Sequence, residues 1–181
     1  MTGVAGRDPD DLVAGNRRYA ASFQSAGMAA RPARKVAVLT CMDTRVDPLR
    51  LLDIELGDAH ILRNAGGRAS DDALRSLVVS TQLLGTRVLV VIHHTDCGML
   101  GLADDDLRAR LARDTGADAS QMEFLGFDDL HGSVREDCLR IRACALLPEA
   151  TAVHGYVYDV DSGRLTPVEE DPALEPPRSR A

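Results

Sequence analysis

The chain contains no tryptophan, and aromatic side chains make up only 3% of its 181 residues. Proteins that grip single strands by base stacking need aromatic platforms, and this one has few to offer. A surplus of positive charge is also missing. Twenty-one Lys and Arg stand against 28 Asp and Glu, a formal net charge of −7, which is the wrong sign for a phosphate backbone or an anionic membrane surface. No apolar run approaches the roughly 20 residues a bilayer span requires. The first eleven residues are small and polar rather than a basic-plus-apolar secretory signal. The expectation is a cytoplasmic protein with no nucleic-acid and no membrane partner, in which four Cys are not a disulfide framework. The remaining balance, 45% apolar and 27% charged, suits one domain with a sizeable core. Residues 1–171 read as that domain, with an N-terminal helical arm, and the proline-rich, charged stretch 172–181 reads as a mobile tail.

The pattern along the chain predicts an α/β fold. Asp8-Pro9 reads as an N-cap and first helical residue, opening a helix to about Phe23 with Leu12, Tyr19 and Phe23 on one face. Val36–Leu39 is a short, continuous apolar run, as expected of a strand buried on both faces. Pro48–Glu55 reads as a helix and Ala59–Leu62 as a second strand. Ser70 caps a helix ended by Gly85, with Asp71 and Asp72 favourable to its dipole. Val88–Ile92 is the clearest strand. Helices follow at about 107–113 and 129–147, and the last strand is expected over 153–160. Such alternation implies a mostly parallel four- or five-stranded sheet flanked by helices. Ligands then bind outside the carboxyl ends of the strands.

Two clusters fall at that edge. Cys41-Met42-Asp43-Thr44-Arg45 follows the first strand, and His93-His94-Thr95-Asp96-Cys97-Gly98 follows the third; Gly66-Gly67 follows the second. In a reducing compartment, two thiols and an imidazole bind zinc more readily than they form a disulfide. Cys41, His94 and Cys97 make three protein ligands, which leaves an exchangeable fourth position and points to a catalytic rather than a structural ion.

Cys41-x-Asp43-x-Arg45, Arg63-Asn64-Ala65-Gly66 and His94-x-x-Cys97-Gly98 together resemble the signature of β-class carbonic anhydrases. The resemblance is strong over about 36–102. It implies one Zn²⁺ per chain on Cys41, His94 and Cys97, with Asp43 and Arg45 as the catalytic dyad. It further implies a homodimer, which can pair into a tetramer, and the reversible hydration of carbon dioxide to bicarbonate and a proton by zinc-bound hydroxide. Arg45 would hold Asp43 by a bidentate pair; were that pair to break, Asp43 would become the fourth ligand and close the site. Backbone N–H groups around Gly98 would face a substrate oxygen, with glycine allowing close approach.

The chain departs from the commoner family pattern in three places. The stretch Arg31-Pro32-Ala33-Arg34, several residues before the first zinc cysteine, carries no glutamine, the tryptophan of a non-catalytic bicarbonate site is absent, and His93-His94-Thr95-Asp96-Cys97-Gly98-Met99 is the short form of an actinobacterial-type branch. Carbonyl sulfide hydrolase is similar to that branch, and wider relatives hydrolyse carbon disulfide. Both substrates are alternatives at the same zinc, and a catalytically silent zinc-binding domain is the non-enzyme alternative. His93 is expected to face away from the metal and to pack, and Asp96 to be a turn residue. Cys138 and Cys144 read as structural thiols, His60, His131 and His154 as isolated, and Asp104-Asp105-Asp106 as a helix N-terminus.

Overall fold

The computed structural model describes residues 9–169. Asp8 and the stretch 172–181 lie outside them. The elements, in order, are α1 (Pro9–Ala21), β1 (Val36–Cys41), α2 (Pro48–Leu51), β2 (Ala59–Asn64), α3 (Asp71–Gln82), β3 (Val88–His94), α4 (Asp104–Thr115), α5 (Leu130–Arg142), β4 (Ala152–Tyr158) and β5 (Leu165–Pro167), with a short 3₁₀ turn at Ala65–Gly67.

The strands form one sheet of order β2-β1-β3-β4-β5. β1 pairs in parallel with β2 and β3, and β3 with β4, while β5 runs antiparallel to β4. The chain leaves β1 towards β2 on one side and later leaves β3 towards β4 on the other. The point of divergence, outside the carboxyl ends of β1 and β3, is where open α/β sheets bind ligands.

The period-two pattern of these strands explains what each face buries. Ala37 and Leu39 of β1, Leu89 and Val91 of β3, and Val153 and Val157 of β4 share a core with Ala73 and Leu77 of α3 and with Val134, Cys138 and Ile141 of α5. Val38 and Ile92, which alternate with them, are also fully buried, so both central strands are covered on both sides.

Several expected boundaries move. α2 is one turn rather than a helix to Glu55. Asp47 caps it by accepting from the N–H groups of Leu49 and Arg50, but Asp53 takes a left-handed backbone (φ 49°) and ends it. α5 stops at Arg142 instead of Leu147, because Cys144 N–H turns back to the Ile141 carbonyl at 3.1 Å and Pro148 follows. The final strand ends at Tyr158, and β5, three residues long, was not foreseen. α4 begins at Asp104 as its acidic first turn suggests, yet buries none of its residues. On α1, Leu12, Val13 and Tyr19 remain exposed, as does Phe23 just beyond it.

Candidate functional site

β1 and β3 are adjacent and in register, so their carboxyl ends arrive together. Cys41 closes β1, His94 closes β3, and a two-residue turn brings Cys97 back. Gly67 is wedged into the seam. At φ 72° a Cβ there would lie 2.9 Å from Cys41 N and from the Thr40 carbonyl carbon, so only glycine fits. Beside it the Thr40 hydroxyl donates to the Ile92 carbonyl at 2.8 Å.

The ligand atoms of Cys41, His94 and Cys97 lie within 4.8 Å of one another, and all three residues are buried. The two sulfurs are 4.0 Å apart. His94 Nδ1 faces the Thr95 carbonyl at 2.8 Å. A carbonyl only accepts, so Nδ1 carries the proton and Nε2 holds a free lone pair. Nε2 is buried with no hydrogen-bond partner. Burying such an atom is costly unless something ligates it, so this donor set fits a metal ion and could hold one. The thiols agree. A hydrogen bond from the Cys97 thiol holds Cys41 well below its ordinary value, burial opposes this, and His94 assists. The same bond, together with burial, pushes Cys97 up. Burial depresses His94, but its interactions with Cys41 and the Thr95 carbonyl outweigh that and raise it. A divalent cation binding such a pair displaces thiol protons, because only the thiolate ligates.

Asp43 and Arg45 meet as expected. Asp43 Oδ1 accepts from the Arg45 N–H at 2.8 Å and from Nε at 3.0 Å, and Oδ2 accepts from Nη2 at 2.8 Å. The guanidinium and the backbone amide hold the carboxyl well below the usual carboxylate range. Its Oδ2 lies 3.8 Å from His94 Nε2, so a charged acceptor stands beside the ligand set. Arg63 secures the segment from behind, donating from Nε to the Cys41 carbonyl at 3.0 Å and from Nη2 to the Asp43 carbonyl at 2.6 Å. Asp96 does more than turn the chain, because its carboxylate also meets Arg45. Phe127 packs on Cys41 and Cys97, with Met99 and Leu130 beside it, as an apolar wall. Gly98 does not need close approach within this chain, since a Cβ there meets nothing within 4 Å.

Sequence reasoning missed a buried charge network behind this site. His93 does face away from the ligand set. Its Nδ1 meets Ser133 Oγ at 2.8 Å and its Nε2 lies 3.1 Å from Asp137 Oδ2. Asp137 also meets Arg68 Nε at 3.0 Å, and Phe127 stacks on the His93 ring. The readable signal was Ser133 and Asp137, four apart on the apolar stripe of α5. The remaining candidates stay apart from the cluster. His60 is tied to Ser80 and the Ala30 carbonyl, His131 and His154 are exposed, and Cys138 sits in the main core. Asp104 caps a loop rather than a cation, accepting from the N–H groups of Phe124, Leu125 and Gly126.

Comparison with known proteins agrees with this geometry. The family described as carbonic anhydrase matches residues 36–122. The β-carbonic anhydrase 1 of Mycobacterium tuberculosis is 38% identical over 159 residues, covering 88% of this chain and 96% of that one. A carbon disulfide hydrolase of Saccharolobus solfataricus is 33% identical over 156 residues, covering 73% and 76%. The crystal structure of a carbonic anhydrase from Streptococcus mutans superposes with a TM-score of 0.86 at 42% identity, covering 92% of this chain and all of that one. With the ligand set at the strand divergence and a relative matched over almost its whole length, the chain belongs to the β-carbonic anhydrases, whose family activity is zinc-dependent hydration of carbon dioxide.

Proposed function

We propose that this chain catalyses the reversible hydration of carbon dioxide, with Cys41, His94 and Cys97 holding one Zn²⁺ and with Asp43 and Arg45 as the catalytic pair. The observation that carries the reading is the buried, unpartnered His94 Nε2 facing two sulfurs, with the Asp43 carboxylate 3.8 Å away. When bound, zinc supplies the Lewis acidity that brings a water proton within reach of neutral pH. The chain's own residues supply the rest. Asp43, kept ionised by Arg45, accepts a hydrogen bond from the reacting water and orients it. Arg45 occupies both carboxylate oxygens, so Asp43 stays where it can do so. Phe127 and Met99 offer an apolar surface to a linear, uncharged substrate and exclude competing water. A backbone N–H near Gly98 would be a donor to a substrate oxygen, where nothing within 4 Å crowds the position a Cβ would take on Gly98.

A silent zinc domain needs no paired carboxylate beside its metal, so the Asp43–Arg45 pair favours the enzyme. The carbon disulfide hydrolases among the relatives support a second reading, hydrolysis of carbon disulfide or carbonyl sulfide at the same residues. Stopped-flow hydration of carbon dioxide by zinc-loaded protein, with sulfide release from both sulfur substrates measured in parallel, separates them. Fast hydration with little sulfide supports the first reading, and the reverse ranking replaces it with the second.

We also infer a cytoplasmic homodimer of one-domain protomers spanning 1–171. The uncovered apolar residues Leu12, Val13, Tyr19 and Phe23 support self-association, and a sedimentation mass of one chain would remove it. Among the described residues no helix is long and apolar enough to cross a membrane.

A further inference from the structure

Arg45 is gripped from two sides. Beyond its contacts with Asp43, Nη1 donates to Asp96 Oδ2 at 2.7 Å and Nη2 donates to the Asp96 backbone carbonyl at 2.9 Å. Asp96 adopts φ 53°, a left-handed conformation that costs an L-residue energy but that Asp tolerates better than most. In that conformation its carboxylate and its carbonyl meet one guanidinium. The turn that carries it is pinned on both flanks of Thr95, whose N–H donates to the Tyr158 carbonyl at 2.9 Å and whose Oγ1 accepts from the Val160 N–H at 3.1 Å. Asp96 also lies between His94 and Cys97, so Arg45 ties the segment of one sulfur to the segment of the other.

We propose that Asp96 is a positioning residue that fixes the Arg45 guanidinium and so keeps Asp43 off the metal position. The inference rests on the zinc-site reading above. Asp43 Oδ2 already lies 3.8 Å from His94 Nε2, so a small movement makes it a ligand. Arg45 is what holds it, and its side chain is 44% exposed. Asp43 and Arg45 are joined bidentately and through the Arg45 backbone N–H, but the guanidinium rides on a long, partly exposed side chain, and Asp96, itself 80% exposed, holds it from the far side. The second anchor removes the rotations by which the guanidinium would leave Asp43. Without Asp96, Asp43 takes the exchangeable position and the site closes to outside ligands.

The sign of this effect is diagnostic. Deleting a negative charge near a cation site should, through space, strengthen the binding of an external anion; the proposal requires it to weaken. The test is cobalt(II)-loaded protein titrated with thiocyanate and followed by visible absorption. Asp96→Gly removes the carboxylate, and glycine is the residue most at ease at this φ. Asp96→Asn keeps the left-handed turn and one acceptor oxygen. Both variants should hold one cobalt per chain. Thiocyanate affinity should fall about 10- to 100-fold in Asp96→Gly, the scale on which groups supporting metal ligands act, and less in Asp96→Asn. Adding Asp43→Ala to Asp96→Gly should restore it, because the competing carboxylate is gone. Unchanged or tighter thiocyanate binding in Asp96→Gly overturns this proposal alone. A wild-type protein that takes up no cobalt overturns the metal-site reading and this proposal with it.

Discussion

Removing Asp137 should cost more stability than removing it together with Arg68. Arg68, Asp137 and His93 are 5%, 2% and 0% exposed. One carboxylate oxygen of Asp137 meets both neighbours, the Arg68 guanidinium at 3.0 Å as an ion pair and the His93 ring at 3.1 Å, without well-aligned hydrogen bonds. In Asp137→Ala, Arg68 keeps Glu136 Oε2 at 2.7 Å and the Leu125 carbonyl at 3.3 Å. Breaking a buried pair costs about 3–5 kcal/mol, because a charge stays behind unpaired. The surviving contacts and the poor alignment place this case near 3 kcal/mol, within the handful that separates a folded domain from its unfolded state. At about 2–4 °C per kcal/mol for a chain of this size, the midpoint should fall by about 6–12 °C. Arg68→Met with Asp137→Leu replaces the pair by apolar volume and should be near neutral. The assays are thermal unfolding for the midpoint and urea unfolding for the free energy, both at fixed protein and zinc concentrations, since association and ligand shift either one. An Asp137→Ala variant within about 1 kcal/mol of wild type, or a double variant as unstable as the single, would refute the reasoning.

Other expectations follow from the site and its supports. Asp43→Ala should keep one zinc per chain while hydration falls by about 100-fold or more; loss of the metal together with the activity would contradict the role given to Asp43. Gly67→Ala meets both a left-handed φ and backbone atoms at 2.9 Å, so it should cost at least about 1–2 kcal/mol and weaken zinc retention by forcing β1 from β3; a chelator competition and a thermal melt both report it. Burial raises the Asp104 carboxyl, but the N–H groups of Gly126, Phe124 and Leu125 outweigh it and leave the group lowered. A lowered folded value means its stabilisation is complete above the unfolded value of about 3.9 and is lost as pH falls through the folded one. The deficit of Asp104→Ala in urea midpoint should therefore be full at pH 7 and shrink at pH 3.5; a deficit that grows on acidification would count against it.

The sheet and the convergence of Cys41, His94 and Cys97 were legible because their signals are local and strong. Val36–Leu39 and Val88–Ile92 are unbroken apolar runs rich in Val, and the cysteine and histidine clusters follow them directly. Parallel order places both at one edge of the sheet. Boundaries were less legible because they depend on backbone conformations that composition does not announce, such as the left-handed Asp53 that cuts α2 short. β5 escaped because three residues paired against β4 carry no periodicity of their own. Arg68 and Asp137 were missed for a different reason. Their partners are 69 residues apart in the chain, and a buried charge has no sequence signature except a polar residue on an apolar stripe. The double role of Asp96 was equally hidden, since a contact with Arg45 exists only once two loops are folded together.

If the proposed Cys41-His94-Cys97 set holds zinc, its placement also sets an order of events for losing the metal. Cys41 and His94 terminate the two central strands, each paired on both sides. Their backbones move only when the sheet itself opens, which in such cores approaches global unfolding. Cys97 is buried too, but it lies beyond the strand on a turn held by the Thr95 and Asp96 contacts, so it can part from the site without opening the sheet. Release therefore begins at Cys97, and the protein should surrender its ion to a chelator at a rate set by that turn rather than by the stability of the fold.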